Sequence, residues 1–349
     1  MLRVIDLFCG VGGFGLGARA AGMDLSLSVD VDPILTSSHG LNFRGSQLLL
    51  SNLRDVSGRQ LRLAAGGDID IVVGGPPCQG FSTIGKGRID DPRRDLLGEF
   101  FRLVRELEPA FFLMENVVGL VSPKNRPILD TCLDSVNFNY DFQGPTIIDA
   151  VDLGAPTRRR RVFVVGIRKD CGLKSFVLAK GTVSKVTVEE AIVDLAALVP
   201  VEAGAGFDIW EYAEIQAELS AYAVRMRKGS HRTTGHRKTP HRDDVAKRFS
   251  CLMPGKTDPI RRHQRLNWEG FCPTLRAGTG PDRGSYQAVR PIHPSENRVI
   301  TVREAARLQG FPDWFHFHPT VWHSFRMIGN SVSPIVSASI LTGLVRDSI

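Results

Sequence analysis

The chain has 349 residues, of which 42% are hydrophobic and 23% are charged. This composition excludes a disordered or collagen-like chain, and the length predicts two globular domains. Strand-like residues begin at Val4, which leaves no room for a secretory signal, and no apolar run is expected to span a membrane. Six cysteines without paired spacing argue against a disulfide scaffold and predict reduced thiols in the cytoplasm.

The net charge of +7 is concentrated in one segment of the chain. Between Arg225 and Arg265, nine arginines and four lysines stand against three aspartates, so the remaining residues are slightly acidic in sum. Such a basic segment is typical of a surface that binds a phosphate backbone, although a solvated surface loop has a similar composition.

The first half of the chain alternates apolar strands with helical patterns. The predicted strands cover residues 4–8, 27–30, 71–73, 111–114, 146–151 and 162–167. The predicted helices lie near residues 15–21, 33–42, 96–106 and 127–135. This alternation predicts an α/β fold with a mostly parallel, doubly wound sheet that is covered by helices.

The pattern changes after Arg168. Residues 187–225 are predicted to be helical, because Ile209, Tyr212, Ile215 and Leu219 fall at helical spacing. A helix is predicted again over residues 301–309, where Thr301 and Glu304 form a capping box, and the last helix is predicted to begin near Val332. We therefore predict a domain formed by residues 1–169 and 296–349, with a smaller domain inserted at 170–295.

A glycine-rich turn follows the first predicted strand. Residues 5–17 read IDLFCGVGGFGLG, and glycines at such a turn let a ligand approach the backbone closely. Asp30 ends the second strand, where a carboxylate can accept hydrogen bonds from ribose hydroxyls. The segment predicts a nucleoside cofactor, and by itself it leaves open both S-adenosylmethionine and a dinucleotide such as NAD.

A cysteine lies just after the apolar run of residues 70–73. The sequence there is GGPPCQGFS, and Cys78 stands at the carboxyl end of the predicted strand, where open α/β sheets bind ligands. Cys78 is therefore placed to act as a nucleophile. The alternative is a small buried hydrophobe, which is the usual state of a free cysteine.

These two motifs, together with four later ones, resemble those of the cytosine-5 DNA methyltransferases of the bacterial restriction–modification type. The later motifs are MENV at 114–117, RRRV at 159–162, REAARLQGFP at 303–312 and IGNSV at 328–332, in the same order as in that family. The resemblance implies the class I S-adenosylmethionine-dependent fold, with 170–295 as a target-recognition domain. It also implies methyl transfer to carbon 5 of cytosine within a specific duplex DNA sequence.

The resemblance assigns a role to each catalytic residue. Cys78 would add to carbon 6 of a flipped-out cytosine, and a protonated or proton-sharing Glu115 would offset the charge at N3. Arg161 would bind O2, and Arg159 would hold a loop or a phosphate. Four consecutive arginines, Arg158 to Arg161, leave this register ambiguous by one residue.

The resemblance also implies a cofactor pocket for S-adenosylmethionine, with S-adenosylhomocysteine as the product. Its expected residues are Phe8, Gly10, Gly12, Asp30, Asp55, Pro77, Leu96, Asn330 and Val332. Asp68 and Asp70 compete by position with Asp55 for the adenine contact. Asp30 stands where many relatives carry glutamate, and Thr157 stands where glutamine is usual.

Duplex DNA is the expected partner. The residues expected to bind it are Ser82, Lys86, Arg88, Arg237, Arg261, Arg262, Thr274 and Arg276. The glycine-rich, basic residues 80–88 are predicted to form a mobile loop that closes on DNA, with an ordinary surface loop as the alternative.

The expected setting is a monomer in the cytoplasm, associated with the nucleoid and with a restriction or phage-defence system, without a membrane. No metal is expected, because Cys251, His263 and Cys272 fit no zinc-finger spacing. Two alternatives remain: an RNA cytosine-5 methyltransferase, against which the large basic insert argues, and a non-catalytic DNA-binding regulator, against which intact Cys78, Glu115 and Arg161 argue.

Overall fold

The chain divides into two compact units. The computed structural model describes residues 1–77, 95–172, 183–204, 206–213, 218–277 and 290–346. The first unit comprises Met1–Asp149, Arg160–Gly181 and Pro334–Ile349, and the second comprises Ala150–Arg159 and Thr182–Ser333, so far as these are described. Residues 150–159 and 296–333 therefore group with the second unit, whereas the sequence analysis placed them in the first domain.

The first unit is built on a seven-stranded sheet. Its strands are β1 (Arg3–Leu7), β2 (Asp24–Asp30), β3 (Gln47–Leu50), β4 (Ile71–Gly74), β5 (Phe111–Val117), β6 (Tyr140–Asp149) and β7 (Arg160–Arg168), in the order β3-β2-β1-β4-β5-β7-β6. Strands β1 to β5 pair in parallel, and β7 is antiparallel to both β5 and β6. The predicted α/β fold with a mostly parallel sheet is confirmed.

The helices of the first unit are α1 (Gly13–Ala20), α2 (His39–Asn42), α3 (Gly58–Ala65), α4 (Asp95–Leu107), α5 (Arg126–Asp134) and α11 (Pro334–Arg346). The sequence analysis missed β3 and α3. The helix predicted over 33–42 forms only in its last four residues, because the Asp32 side chain accepts hydrogen bonds from the backbone N–H groups of Ile34 and Leu35. Such Asx turns compete with helix formation.

The core of the first unit lies between this sheet and its helices. Val72, Val73 and Phe112 on the strands are fully buried, as is Phe100 on α4. The rings of Phe101 and Phe112 meet edge to face at 5.6 Å. Strands that are buried in this way read as continuous apolar runs, which is why the sequence located them.

One glycine in α1 supports a testable prediction about helix packing. A Cβ atom at Gly17 would lie 2.7 Å from the backbone nitrogen of Ala338 in α11. We expect Gly17→Ala to destabilise the fold by about 1–3 kcal/mol, since backbone atoms cannot move aside cheaply. Gly40→Ala is the matched control, because Gly40 lies in α2 and its Cβ position has no neighbour within 4 Å among the residues that the structure describes. Urea unfolding measures both variants, and equal stability of the two would contradict the packing argument.

The second unit combines short helices with a small sheet. Its elements are α6 (Val188–Ile192), β8 (Leu198–Gly204), β9 (Phe207–Tyr212), α7 (Ala221–Arg227), β10 (Arg232–Thr234), α8 (Asp243–Ser250), α9 (Val302–Gln309) and α10 (Val321–Asn330). Strand β9 pairs antiparallel with both β8 and β10. The prediction of continuous helix over 187–225 was therefore wrong for 198–212. Ile209 and Tyr212 are three residues apart, but this spacing was too short a signal to outweigh pairing on both sides of β9.

The capping box that begins α9 is confirmed. The Thr301 hydroxyl accepts from the Glu304 backbone N–H at 3.2 Å, and the Glu304 carboxylate accepts from the Thr301 N–H at 2.7 Å. The last helix begins at Pro334, close to the predicted Val332.

Contrary to expectation, Val321–Leu344 is long and apolar enough to cross a membrane by length and composition. Most of it is buried within the protein, and residues 331–333 separate α10 from α11, as is typical of core helices.

A buried histidine of the second unit makes a pH dependence testable. His236 is 3% exposed, lies 3.2 Å from the Thr301 hydroxyl, and burial lowers its pKa to about 4. Because His236 binds a proton more readily in the unfolded chain, its neutral form contributes fully to the free energy of unfolding above the unfolded pKa of about 6.5. This contribution is lost as the pH falls toward 4.

Between pH 7 and pH 5, this loss amounts to about 2 kcal/mol. We expect His236→Gln to lose correspondingly less stability than the wild type over that interval, as measured by urea unfolding. His231→Gln is the control, because His231 is exposed. A wild type and a His236 variant with the same pH dependence would contradict the prediction.

Candidate active site

The glycine-rich turn after β1 has one open position. Phe8, Gly10 and Gly12 all have positive φ, at 59°, 53° and 94°. A side chain at Gly12 would collide with the Phe43 ring, whereas a Cβ at Gly10 would meet no atom of the described residues within 4 Å. Gly12 is thus required for packing, and Gly10 leaves space in which a ligand can approach the backbone.

Asp30 joins the ends of β1 and β2. Its carboxylate accepts hydrogen bonds from the backbone N–H groups of Gly10 at 2.8 Å and Asp32 at 2.9 Å. Burial raises the pKa of Asp30, and these two hydrogen bonds oppose that rise. Asp30 therefore holds the glycine-rich turn in place at the carboxyl edge of the sheet.

The three candidate aspartates for the adenine contact separate in the structure. Asp55 is exposed and ends a 3₁₀ turn, Leu53–Asp55, that follows the carboxyl end of β3. Asp70 accepts a hydrogen bond from the Arg3 backbone N–H, and the Asp68 carbonyl accepts one from the Arg3 guanidinium. Because Arg3 begins β1, Asp68 and Asp70 lie at the amino edge, opposite to Asp30. Asp55 alone of the three follows the carboxyl edge.

The structure pairs two of the predicted catalytic residues. The Arg161 Nε lies 2.9 Å from Glu115 Oε1, and the two side chains are only 17% and 12% exposed. Their proximity follows from the antiparallel pairing of β5 with β7, in which Val117 is opposite Arg161 and Glu115 is opposite Phe163. A carboxylate and a guanidinium thus face each other near the carboxyl end of β5.

The segment that leads to Cys78 packs against this pair. A Cβ at Gly75 would lie 3.3 Å from Glu115 Oε2, and the Asn116 side-chain amide donates to the Pro76 carbonyl at 3.2 Å. The chain that leads to Cys78 therefore passes directly beside the Glu115 side chain. Cys78 lies outside the described residues.

The run of four arginines has a definite register. Arg158 and Arg160 are exposed, whereas Arg159 is buried and Arg161 is half-buried. Arg159 donates to the Leu275 carbonyl at 3.2 Å and to the Gly329 carbonyl at 3.0 Å, all within the second unit. The alternation agrees with the choice of Arg159 and Arg161 as the inward-facing pair, and it shows Arg159 binding backbone carbonyls.

Comparison with known proteins identifies the family. Residues 2–346 match the sequence profile described as C-5 cytosine-specific DNA methylase. The chain belongs to this family of DNA cytosine-5 methyltransferases.

Several relatives of the methyltransferase are similar along nearly its whole length. Type II methyltransferase M.XorII of Xanthomonas oryzae pv. oryzae is 40% identical, over 96% of this chain and 82% of the relative. Type II methyltransferase M.DdeI of Desulfomicrobium norvegicum is 31% identical, over 97% and 87%. A crystal structure of a DNA modification methyltransferase encoded within an E. coli prophage is 38% identical, with a TM-score of 0.84 and 99% of each chain covered. The structure of S. pombe Dnmt2, at 17% identity and a TM-score of 0.65 over 99% of each chain, shows the shared fold alone.

The remaining predicted cofactor residues of the methyltransferase lie in both units. Phe8, Pro77 and Leu96 are half-buried and belong to the first unit. Asn330 is exposed at the end of α10, Val332 is buried, and both belong to the second unit. Their contact with a cofactor stays a prediction.

The predicted DNA-binding residues differ in their exposure. Arg237, Arg261, Arg262 and Arg276 are exposed, whereas the Thr274 hydroxyl donates to the Arg158 carbonyl at 2.6 Å. Ser82, Lys86 and Arg88, with the predicted mobile loop at 80–88, lie outside the described residues. Arg265 ends the basic segment but is 4% exposed and binds backbone carbonyls, so the excess charge on the surface is smaller than the sequence implied.

Sequence reasoning missed two residues near the turn. Asp6 is fully buried in β1, accepts a hydrogen bond from the Gly15 N–H at 3.0 Å, and has its pKa raised well above the usual range by burial. Val31 follows Asp30 and is 67% exposed. A carboxylate within an apolar strand could have identified Asp6, but only the structure shows that Val31 presents an apolar surface beside Asp30.

Proposed function

We propose that this methyltransferase transfers a methyl group from S-adenosylmethionine to carbon 5 of a cytosine in a specific duplex DNA sequence. The observation that carries the proposal is the largely buried Glu115–Arg161 pair, with the segment leading to Cys78 packed against Glu115. A carboxyl group and a guanidinium thus lie together at the carboxyl edge of the sheet, where α/β folds bind ligands, and the chain leads from residues 75–77 to Cys78.

Carbon 5 of cytosine is a poor nucleophile until carbon 6 has been attacked. The Cys78 thiolate forms a bond to carbon 6, and the electron pair of the 5,6 double bond becomes available at carbon 5. Negative charge develops at N3 and O2 as this bond forms. Glu115 serves N3 as a proton donor, and Arg161 stabilises O2.

The Glu115–Arg161 pair suits this division of roles. Arg161 engages Oε1, whereas Oε2 is directed toward Gly75. Glycine at position 75 leaves that oxygen room, because any side chain there would press against it. The pair therefore presents one carboxyl oxygen and the guanidinium to a base that enters beside residues 75–77.

The residues of the first unit fit S-adenosylmethionine. Gly10 leaves open space, Asp30 stands at the carboxyl edge beside it, and Asp55 and the exposed Val31 follow the neighbouring strands. Asp30 would bind ribose hydroxyls, Asp55 the adenine amino group, and Val31 a face of the adenine ring. When bound, S-adenosylmethionine supplies an electrophilic methyl group and leaves as S-adenosylhomocysteine.

The target cytosine must leave the duplex before Cys78 can reach carbon 6. Flipping a base costs about a few kcal/mol of pairing and stacking. The second unit is proposed as the target-recognition domain that offsets this cost through contacts with bases and phosphates. After methylation, solvent water accepts the carbon 5 proton, and the electron pair of that carbon–hydrogen bond re-forms the 5,6 double bond as the Cys78 thiolate leaves carbon 6. The N3 proton returns to Glu115, which restores the aromatic ring.

The proposed setting is a bacterial modification enzyme, with a restriction or phage-defence system as its partner. The names of its relatives as type II methyltransferases support this setting. A monomeric, nucleoid-associated state in the cytoplasm is part of the same proposal.

The decisive experiment supplies tritiated S-adenosylmethionine with either duplex DNA or tRNA. Label in DNA supports the proposal, label in tRNA alone supports an RNA methyltransferase, and DNA binding without label supports a non-catalytic regulator. Bisulfite sequencing of DNA from cells that express the chain then identifies the methylated sequence. Cys78→Ser should abolish turnover and retain DNA binding, so methylation by that variant would refute the assigned nucleophile.

A further inference from the structure

Residues 259–262 form an exposed tip with an unusual composition, here called the tip. Ile260 is 67% exposed, and it stands between Pro259 and the exposed pair Arg261 and Arg262. In residues 253–262 the exposed charged side chains, at 256, 261 and 262, are all cationic, and the single acid, Asp258, is fully buried. The tip therefore combines an apolar end with positive charge.

The tip is held in one conformation by Asp258. Its carboxylate accepts from the Arg261 backbone N–H at 2.8 Å and pairs with the Arg248 Nε at 2.7 Å. Its carbonyl accepts from the Arg262 N–H at 2.9 Å, and its own N–H donates to the His263 carbonyl at 2.7 Å. These four contacts close the turn on both sides of Ile260.

The backbone of the tip is strained at Arg262. This residue has φ of 59°, in the left-handed region that side chains other than glycine rarely adopt. Such strain persists only where the surroundings hold it, and it is often found at binding sites. At this turn, the buried Asp258 supplies the restraint.

The base of the tip is anchored in the second unit. Arg265 is buried and donates to the carbonyls of Phe249, His293 and Pro294 at 2.7–3.1 Å. Phe249 packs in a small core with Ile292 and Val299. The tip is thus a turn whose base is fixed by buried hydrogen bonds, and Ile260 is exposed on a well-ordered turn.

We propose that the tip enters duplex DNA, with Ile260 as an apolar wedge between base pairs and Arg261 and Arg262 on the flanking phosphates. This inference rests on the proposed function in one respect, that duplex DNA is the substrate. Apolar wedges of this kind unstack a base step, and the contacts that the distortion permits repay the cost. Asp258 and Arg248 are positioning residues, which hold the wedge at a fixed angle.

Duplex DNA matches both halves of the tip. Its phosphates are complementary to the two arginines, and its stacked bases offer an apolar surface to a rigid isoleucine. An acidic protein would satisfy the arginines but gives no reason for a restrained apolar residue directly before them. The presence of three cations and no exposed acid in residues 253–262 therefore favours nucleic acid.

The test uses the full-length enzyme and a duplex with the methylated sequence found by bisulfite sequencing, substituted with 2-aminopurine at successive positions. Wild type should increase the fluorescence at one base step, and Ile260→Ala should remove that increase and weaken binding about tenfold. Ile260→Leu should restore both. Arg261→Gln or Arg262→Gln should instead reduce the salt dependence of binding by about one phosphate contact.

The matched control is Val224→Ala, because Val224 is a β-branched residue of the second unit that is 55% exposed and belongs to α7, not to the tip. It should bind DNA as the wild type does, and all variants should share its unfolding midpoint. If Ile260→Ala methylates and distorts the duplex as the wild type does, the wedge is refuted and the proposed function stands. If the wild type neither binds nor methylates duplex DNA, the proposed function fails as well.

Discussion

Glu115→Gln is expected to lower the single-turnover rate of DNA methylation by about 10²–10⁴-fold, the usual contribution of a positioned acid or base. Glutamine preserves the shape of the side chain and an oxygen for the Arg161 Nε, which lies 2.9 Å from Glu115 Oε1. It removes the carboxyl group that serves N3 of cytosine. The affinity for duplex DNA should stay within about threefold of the wild type, since the change affects the transition state more than the bound state.

The control for this substitution is Glu269→Gln, which changes an exposed glutamate of the second unit. Its rate should equal that of the wild type. Thermal unfolding of both variants checks that the loss of rate is not a loss of fold. A Glu115→Gln enzyme with a rate within threefold of the wild type would exclude Glu115 from proton transfer.

Arg307→Met is expected to destabilise the second unit by about 3–5 kcal/mol, the cost of leaving a buried charge unpaired. Arg307 is fully buried in α9, and it pairs with Asp313 at 2.6 Å and with Asp194 at 3.0 Å. It also donates to the Ala191 carbonyl at 2.9 Å. Methionine fills part of the volume but removes the cation that pairs with the buried Asp313, whereas Asp194 keeps its ion pair with Arg227 at 2.7 Å.

Tryptophan fluorescence during urea unfolding measures this effect well, because all four tryptophans, Trp210, Trp268, Trp314 and Trp322, lie in the second unit. The control is Arg232→Met. Arg232 pairs with Glu211, but the two side chains are 65% and 37% exposed. Exposed pairs contribute about 0–1 kcal/mol. Equal losses in the two variants would show that burial does not set the cost.

Local sequence patterns were sufficient to locate those helices and strands whose formation depends mainly on residues close by in the chain. Continuous apolar runs located the central strands, and Thr301 with Glu304 located the start of α9. The same reasoning failed at β9, where Ile209 and Tyr212 suggested a helix. That strand forms because β8 and β10 flank it, and neither contact is visible in a short window of sequence.

The candidate active site also has features that local sequence predicts and features that depend on long-range contacts. The α/β order and the family's motifs could be predicted from sequence alone, as could the choice of Glu115, Arg159 and Arg161 within those motifs. The folded chain was needed to show that Arg161 meets Glu115 and that Asp55, not Asp70, follows the carboxyl edge. It was also needed to show that Arg265 is buried while Ile260 is exposed. Periodicity and capping involve neighbouring residues, whereas burial and ion pairing depend on strands and loops that are distant along the chain.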